Sequence, residues 1–326
     1  MNDDMTHLAL FMEPVRKYLE DETVSEILIN GPNQIYIERK GKLEQTDVKF
    51  VSEPALKATA VNIGKSAGRI LNEENPRLDA RLPDGSRVHA VIPPLCKQGT
   101  AIAIRKFSKD TITAKELRGF GSVDDDGLKL IEAIVGTHQN TIVSGATSSG
   151  KTSVLNVLSG FISEEERILV LEDTNELQLQ QPHVVYFEAR PADKNGKGEV
   201  TIRDLLHSTL RLRPDRLIIG EIRGGEALDL LQALNTGHAG SMSTIHANSA
   251  LDALARLETC AMLAGMNMPL QAIRNQVASA VDVIVQTSRL PDGSRKLVSI
   301  CEVMPLSGHE YTVSEIYKWV TSDVND

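Results

Sequence analysis

The sequence predicts an α/β fold: a mostly parallel sheet with helices on both faces, preceded by a smaller α+β domain. Three observations predict it. From Gly127 onward, helical patterns alternate with short, continuous apolar runs, the signature of strands covered on both faces. Before about Phe107 the apolar residues instead alternate with polar ones around tight turns, as in an antiparallel sheet. The 326 residues are enough for two domains, each burying its own core without metals or disulfides.

Taken in order, Leu8, Phe11, Met12, Val15 and Leu19 recur at helical spacing and predict a helix over 7–19. Ser25–Ile29 and Gln34–Glu38 are strands around the Asn30-Gly31-Pro32 turn, and Lys40-Gly41-Lys42 turns into a third strand over 43–50. A helix follows at 53–71, then strands at 87–92 and 100–107, the first entered through Pro83-Asp84-Gly85. Residues 108–126 are polar and interrupted by Gly119 and Gly121, the composition of an interdomain linker. Beyond it, 141–144, 168–171, 217–220 and 242–246 are the buried strands, with right-handed helical crossovers between them. A late hairpin, 282–287 with 296–303 around Pro291-Asp292-Gly293, closes the fold, and the residues after Trp319 fray.

Composition excludes several functions. Lys and Arg total 35 against 44 Asp and Glu, a formal charge of -9, so no global basic field draws the chain onto nucleic acid, and few aromatics are available for base stacking. Direct nucleic-acid binding is not expected. Cys96, Cys260 and Cys301 are odd in number and far apart, which fits buried, reduced thiols. The N-terminus is acidic with a short apolar run, and no segment reaches membrane-spanning length, so membrane association would run through a partner.

The chemistry concentrates in Gly145-Ala146-Thr147-Ser148-Ser149-Gly150-Lys151-Thr152, a complete phosphate-binding loop that continues into Ser153. It follows an apolar strand and opens a helix, so backbone N–H groups and the helix N-terminus converge on a triphosphate. Lys151 would bridge the β- and γ-phosphates of ATP, and the Thr152 hydroxyl would hold Mg²⁺. Carboxylates are needed at neighbouring strand ends. Glu221 is the first candidate to orient or deprotonate water and to reach Mg²⁺, through water, and Glu172 is the alternative base, with Asp173 and Glu176 beside it. Gly220 stands where many such enzymes carry an aspartate for the metal. In the segment 235–248, His246 at a strand end could sense the γ-phosphate, while His238 lies eight residues earlier. Arg87, Arg105, Arg211 and Arg213 are the candidate cations for charge developing on the phosphoryl group.

With these clusters in this order, the chain resembles the type II/IV secretion system ATPase superfamily. Its aspartate box is similar to 171–177, its Walker B segment to 212–224 and its histidine box to 237–248. In the first domain, 28–36, 81–88 and 91–95 are most similar to CpaF-like motors of tight-adherence (Tad) pili. The resemblance implies a RecA-like P-loop domain over 127–326, a PAS-like α+β domain over 1–107, and a homohexamer that hydrolyses ATP at the cytoplasmic face of the bacterial inner membrane. It implies an inner-membrane platform protein as partner, and arginines of the first domain, Arg87 and Arg105, reaching the γ-phosphate. The chain lacks the paired CxxC insertion of many type II and pilus-extension motors, so a conjugative type IV motor is the nearest variant; a nucleic-acid translocase is a weaker one.

Overall fold

The computed structural model describes residues 11–39, 41–107, 112–192 and 196–320. Two compact units result, Met1–Asp110 and Thr111–Asp326. Of the sequence expectations, residues 7–10 of the first helix, Lys40 of its turn, 108–111 of the linker and 321–326 of the C-terminus lie outside the described residues.

In the first unit a 3-10 turn at Glu13–Val15 leads into a short helix, α1 (Arg16–Glu20), followed by strands β1 (Val24–Asn30), β2 (Ile35–Arg39) and β3 (Lys42–Gln45). Helix α2 (Glu53–Ser66) and strands β4 (Arg77–Arg81), β5 (Arg87–Val91) and β6 (Ala101–Arg105) complete it. The six strands form one antiparallel sheet in the order β3-β2-β1-β6-β5-β4. Alternation puts Ile27, Ile29, Ile35, Ile37, Val88, Ile102 and Ile104 on one face, where they pack with Leu56, Ala60 and Ile63 of α2. The helix expected over 53–71 stops at Ser66. Gly68 takes φ +67, its N–H donates to Lys65 and that of Arg69 to Gly64, a Schellman termination that the sequence offers at Gly68. The strand expected over 43–50 ends at Gln45, and β4 was not expected at all.

The second unit begins with α3 (Ala114–Gly119) inside the stretch expected as linker, then α4 (Asp125–Gly136), β7 (Thr141–Gly145) and α5 (Lys151–Ser159). There follow β8 (Ile168–Glu172), β9 (Val184–Glu188), α6 (Ile202–Thr209), β10 (Arg216–Ile219), α7 (Glu226–Asn235) and β11 (Met242–His246). Helices α8 (Ala250–Met262) and α9 (Leu270–Ala280) and strands β12 (Val283–Arg289), β13 (Arg295–Ser307) and β14 (Glu310–Lys318) end the fold. The sheet order is β14-β13-β12-β7-β11-β10-β8-β9, with the six strands from β12 to β9 parallel and β13 and β14 antiparallel.

The parallel strands β7, β8 and β10 are buried along their whole length, so alternate residues serve opposite cores. Ile142, Leu169, Leu171, Leu217, Ile219 and Ile245 face α6–α9, whereas Val143, Val170 and Ile218 face α4 and α5. The hairpin expected at 282–303 is not a separate flap: β12 also pairs in parallel with β7, which extends the main sheet beside the glycine loop. Edge strands β9 and β14 were not expected. Both are half-exposed: β14 mixes polar and apolar residues throughout, and β9 carries a short apolar run, Val184-Val185-Tyr186-Phe187, that the sequence expectations omit.

Candidate active site

Every candidate of the second unit except Arg211 and Arg213 follows or ends a parallel strand at its C-terminal end, where open α/β sheets bind ligands. The two arginines instead precede β10, at the opposite end of the sheet, and are not part of this cluster. His238 likewise lies in the turn before β11, where its Nδ1 sits 3.1 Å from the Ala233 carbonyl; only His246 of the two histidines reaches the site.

The loop is built to leave donors exposed. Helices α4, α6 and α8 are capped by the side chains of Asp124, Thr201 and Ser249, but α5 begins at Gly150, φ +95, with no side-chain cap. Its first N–H groups are thus left for an anion, the arrangement that binds phosphate. Lys151 is buried, and its Nζ donates to the Ala146 carbonyl at 3.0 Å, so the side chain folds back across the loop. Thr152, half-buried in the first turn of α5, can present its hydroxyl to Mg²⁺. Gly145 cannot carry a side chain: a Cβ there would lie 2.3 Å from the Thr287 hydroxyl and 2.4 Å from that of Ser149.

A line of polar contacts runs from the loop to the acidic strand ends. Lys151 Nζ lies 3.2 Å from His246 Nδ1, and His246 Nε2 lies 2.9 Å from Glu221 Oε1. The ammonium has no acceptor capacity, so Nδ1 is the accepting nitrogen and Nε2 carries the proton donated to Glu221. Burial, and then the Lys151 charge, hold the imidazole below its ordinary pKa, which keeps this neutral tautomer. The other Glu221 oxygen takes a 2.6 Å bond from Arg223 Nη2, and Arg223 Nη1 is 3.3 Å from Asp173. Glu221 is therefore held by two groups, His246 and Arg223, and is linked to the loop's lysine through the histidine, a geometry suited to holding a water and taking its proton. Arg223 was not singled out from the sequence; its only signal was adjacency to the Glu221 strand end.

Glu172 occupies a different setting. It is 4% exposed, and its Oε1 accepts from the backbone N–H groups of Glu176 at 3.0 Å and Leu177 at 3.1 Å. Gly220, expected as a missing metal ligand, has another reason to be glycine: a Cβ there would meet Glu172 Cγ at 2.8 Å. The carboxylate of β8 thus packs over the end of β10 and shapes the turn after its own strand. Burial raises its pKa from 4.5 to about 7, against the pull of the two amide hydrogen bonds. The folded chain then holds a proton that the unfolded chain has released, so stability from this group is full below pH 4.5 and is lost as pH rises through about 7. The whole shift corresponds to on the order of 3 kcal/mol. Glu172→Gln, which keeps one accepting oxygen, is expected to flatten the fall in urea midpoint between about pH 5 and pH 8; an unaltered slope would remove Glu172 as its source.

In the first unit, Arg87 and Arg105 are direct cross-strand partners, and Arg81 pairs with Arg87. Directly opposed residues share a face, so three guanidinium groups stand in a row on the side of the sheet away from α2. Glu26, opposite Arg105, ends the row.

The comparisons with known proteins agree with this geometry. Residues 10–320 match the family described as Type II/IV secretion system protein. Conjugal transfer protein TrbB of Rhizobium radiobacter is 34% identical over 298 residues, covering 89% of this chain and 86% of its own length. Type IV secretion system protein PtlH of Bordetella pertussis is 31% identical over 327 residues, with 91% and 95% covered. The fold alone is shared with the ATPase DotB of Legionella pneumophila, at TM-score 0.62 and 17% identity, over 94% of this chain and 79% of that one. With a RecA-like P-loop unit behind a smaller α+β unit and a family match over nearly its whole length, the chain belongs to the type II/IV secretion system ATPase superfamily and is an ATP hydrolase.

Proposed function

We propose that the chain is the homohexameric motor of a bacterial secretion machine, turning ATP hydrolysis into domain movements that drive protein substrates across the inner membrane. The observation that carries the reading is the continuous line Lys151–His246–Glu221, which ties the phosphate-binding lysine to the candidate base. Lys151 and the open amides of α5 hold the triphosphate, Glu221 takes the proton of the attacking water, and His246 reports the state of the γ-phosphate to Glu221. When bound, Mg²⁺ would supply charge neutralisation at the phosphates; the Thr152 hydroxyl would hold it, and Glu221, already engaged by His246 and Arg223, would reach it through water.

The row of Arg81, Arg87 and Arg105 supports a second step. In this proposal Arg87 and Arg105 supply cations to the γ-phosphoryl group in the hexamer. The domain scheme is a first domain over 1–107, a linker over 108–126 and the motor domain over 127–326. Among the described residues no helix is long and apolar enough to cross a membrane. Work at the cytoplasmic face through an inner-membrane platform protein belongs to the same reading. Similarity to TrbB and PtlH over about nine-tenths of the chain favours a type IV secretion or conjugative apparatus. The first-domain motifs 28–36 and 81–95 favour a Tad-like pilus instead.

The test is turnover of MgATP by the purified chain, with sedimentation in the same buffer. Hexameric species that hydrolyse ATP, and loss of turnover in Lys151→Ala, are expected. Arg87→Ala with Arg105→Ala is expected to lower kcat on the order of a hundredfold while nucleotide affinity changes far less. A monomer that binds no nucleotide would sink the motor reading; full turnover in the double arginine variant would remove only the arginine step.

A further inference from the structure

The glycine loop is not held by its own residues alone. Strand β12 runs parallel to β7 with Thr287 beside Gly145, so it ends where the loop begins. The turn Leu290–Ser294, closed by the Leu290 N–H to the Ser294 carbonyl at 2.8 Å, then brings the first residue of β13, Arg295, back over the loop. Two contacts result. The buried Thr287 hydroxyl lies 2.8 Å from the Ser149 hydroxyl and 3.1 Å from the Ser144 carbonyl. Arg295 Nε donates to the Ser148 carbonyl at 3.0 Å.

Those two loop residues are the ones that need holding. Ser148 has φ +60, a left-handed conformation that costs a non-glycine residue about 1 kcal/mol or more. Ser149 is buried, and its hydroxyl also lies 2.8 Å from the Ala146 carbonyl, closing the loop on itself. Arg295 also stands against Gly150, where a Cβ would come within 3.4 Å of the arginine Cδ. The Ser148–Ser149 peptide is thus held at both of its polar groups: its carbonyl takes the bond from Arg295, and its N–H donates to the Ala146 carbonyl at 3.3 Å.

We propose that Thr287 and Arg295 are positioning residues for the nucleotide. The β12–β13 hairpin pre-orders the Ser148–Ser149 segment, so that ATP binding does not have to supply the ordering cost. Neither residue contacts the reacting atoms in this scheme, so the effect falls on affinity and not on the chemical step. This inference rests on the nucleotide-binding reading of the loop.

The experiment measures KM, kcat and direct MgATP binding for the full chain, with thermal midpoints, in Arg295→Ala, Arg295→Lys, Thr287→Val and Thr287→Ser. For Arg295→Ala, KM and Kd for ATP are expected to rise about tenfold with kcat changed no more than about twofold, the size of one charge-assisted hydrogen bond. Arg295 is exposed, so the thermal midpoint should not move. Lys lacks the Nε donor and should behave as Ala does, whereas Thr287→Ser should keep, and Thr287→Val lose, the wild-type KM. Wild-type KM in Arg295→Ala overturns the proposal; so does rescue by Lys, which would make the charge alone responsible, and so does a parallel fall in kcat and thermal midpoint. Absence of ATP binding in the wild-type chain would overturn the nucleotide-binding reading itself, and Lys151→Ala serves as the reference for lost binding.

Discussion

Glu221→Gln is expected to bind MgATP with near wild-type affinity and to hydrolyse it about a thousandfold more slowly, a loss in the range for removal of a general base. The amide keeps the shape of the side chain but offers no base. It can still accept from His246 Nε2 through its oxygen, but its NH₂ would face the donating Arg223, which approaches the present carboxylate at 2.6 Å. The arm that separates the two acidic candidates is Glu172→Gln. Glu172 spends its oxygens on the Glu176 and Leu177 amides and is shielded from solvent, so its neutral variant should retain much more turnover than Glu221→Gln. Single-turnover hydrolysis with a separate nucleotide-binding measurement decides it. Equal losses in both variants, or a larger loss in Glu172→Gln, would transfer the base to Glu172.

The distinction between these two glutamates shows what sequence can and cannot carry. Both come after apolar runs, Glu172 as the last residue of β8 and Glu221 two residues beyond β10, so their types and spacing were legible. Their roles depend on which carboxylate lies beside His246, 25 residues from Glu221 in the chain, and which lies beneath Gly220. The phosphate loop was legible in full because its geometry is local: glycines, lysine and threonine at fixed offsets on one turn. Thr287 and Arg295 were not, since they meet the loop only through the parallel pairing of β12 with β7, more than a hundred residues apart in sequence. The same holds at the other end of the sheet. Gly240, read as part of a histidine cluster, is glycine because of a packing contact that no motif encodes.

That contact gives the largest expected loss of stability. Arg216, the first residue of β10, is 1% exposed, and its guanidinium is shared among three pieces of the second unit. It pairs with Glu166 through Nε at 2.5 Å and Nη2 at 3.1 Å, and it donates from Nη1 to the Gly240 carbonyl at 2.9 Å and from Nη2 to the Val135 carbonyl at 3.0 Å. Val135 lies in the last turn of α4, and its carbonyl also accepts from the His138 N–H at 3.1 Å, so the cation adds a second bond at the C-terminal end of that helix. Burial acts to raise the Glu166 pKa, but its bonds to Arg216 prevail and hold it below the ordinary value. Arg216→Ala would leave Glu166, itself only 15% exposed, without the Arg216 charge and would remove the guanidinium bonds to the Gly240 and Val135 carbonyls. The expected cost is about 3–5 kcal/mol, the range for breaking a buried pair by removing one partner. Gly240→Ala should approach it, because a Cβ there would fall 1.8 Å from Arg216 Nη1 and φ is +78. Arg216→Met separates charge from shape: if it is as unstable as Arg216→Ala although it fills the space, the loss comes from the unpaired Glu166 and the lost guanidinium bonds. Urea unfolding of the three variants measures this, and a loss below about 1 kcal/mol in Arg216→Ala would show the network to be dispensable.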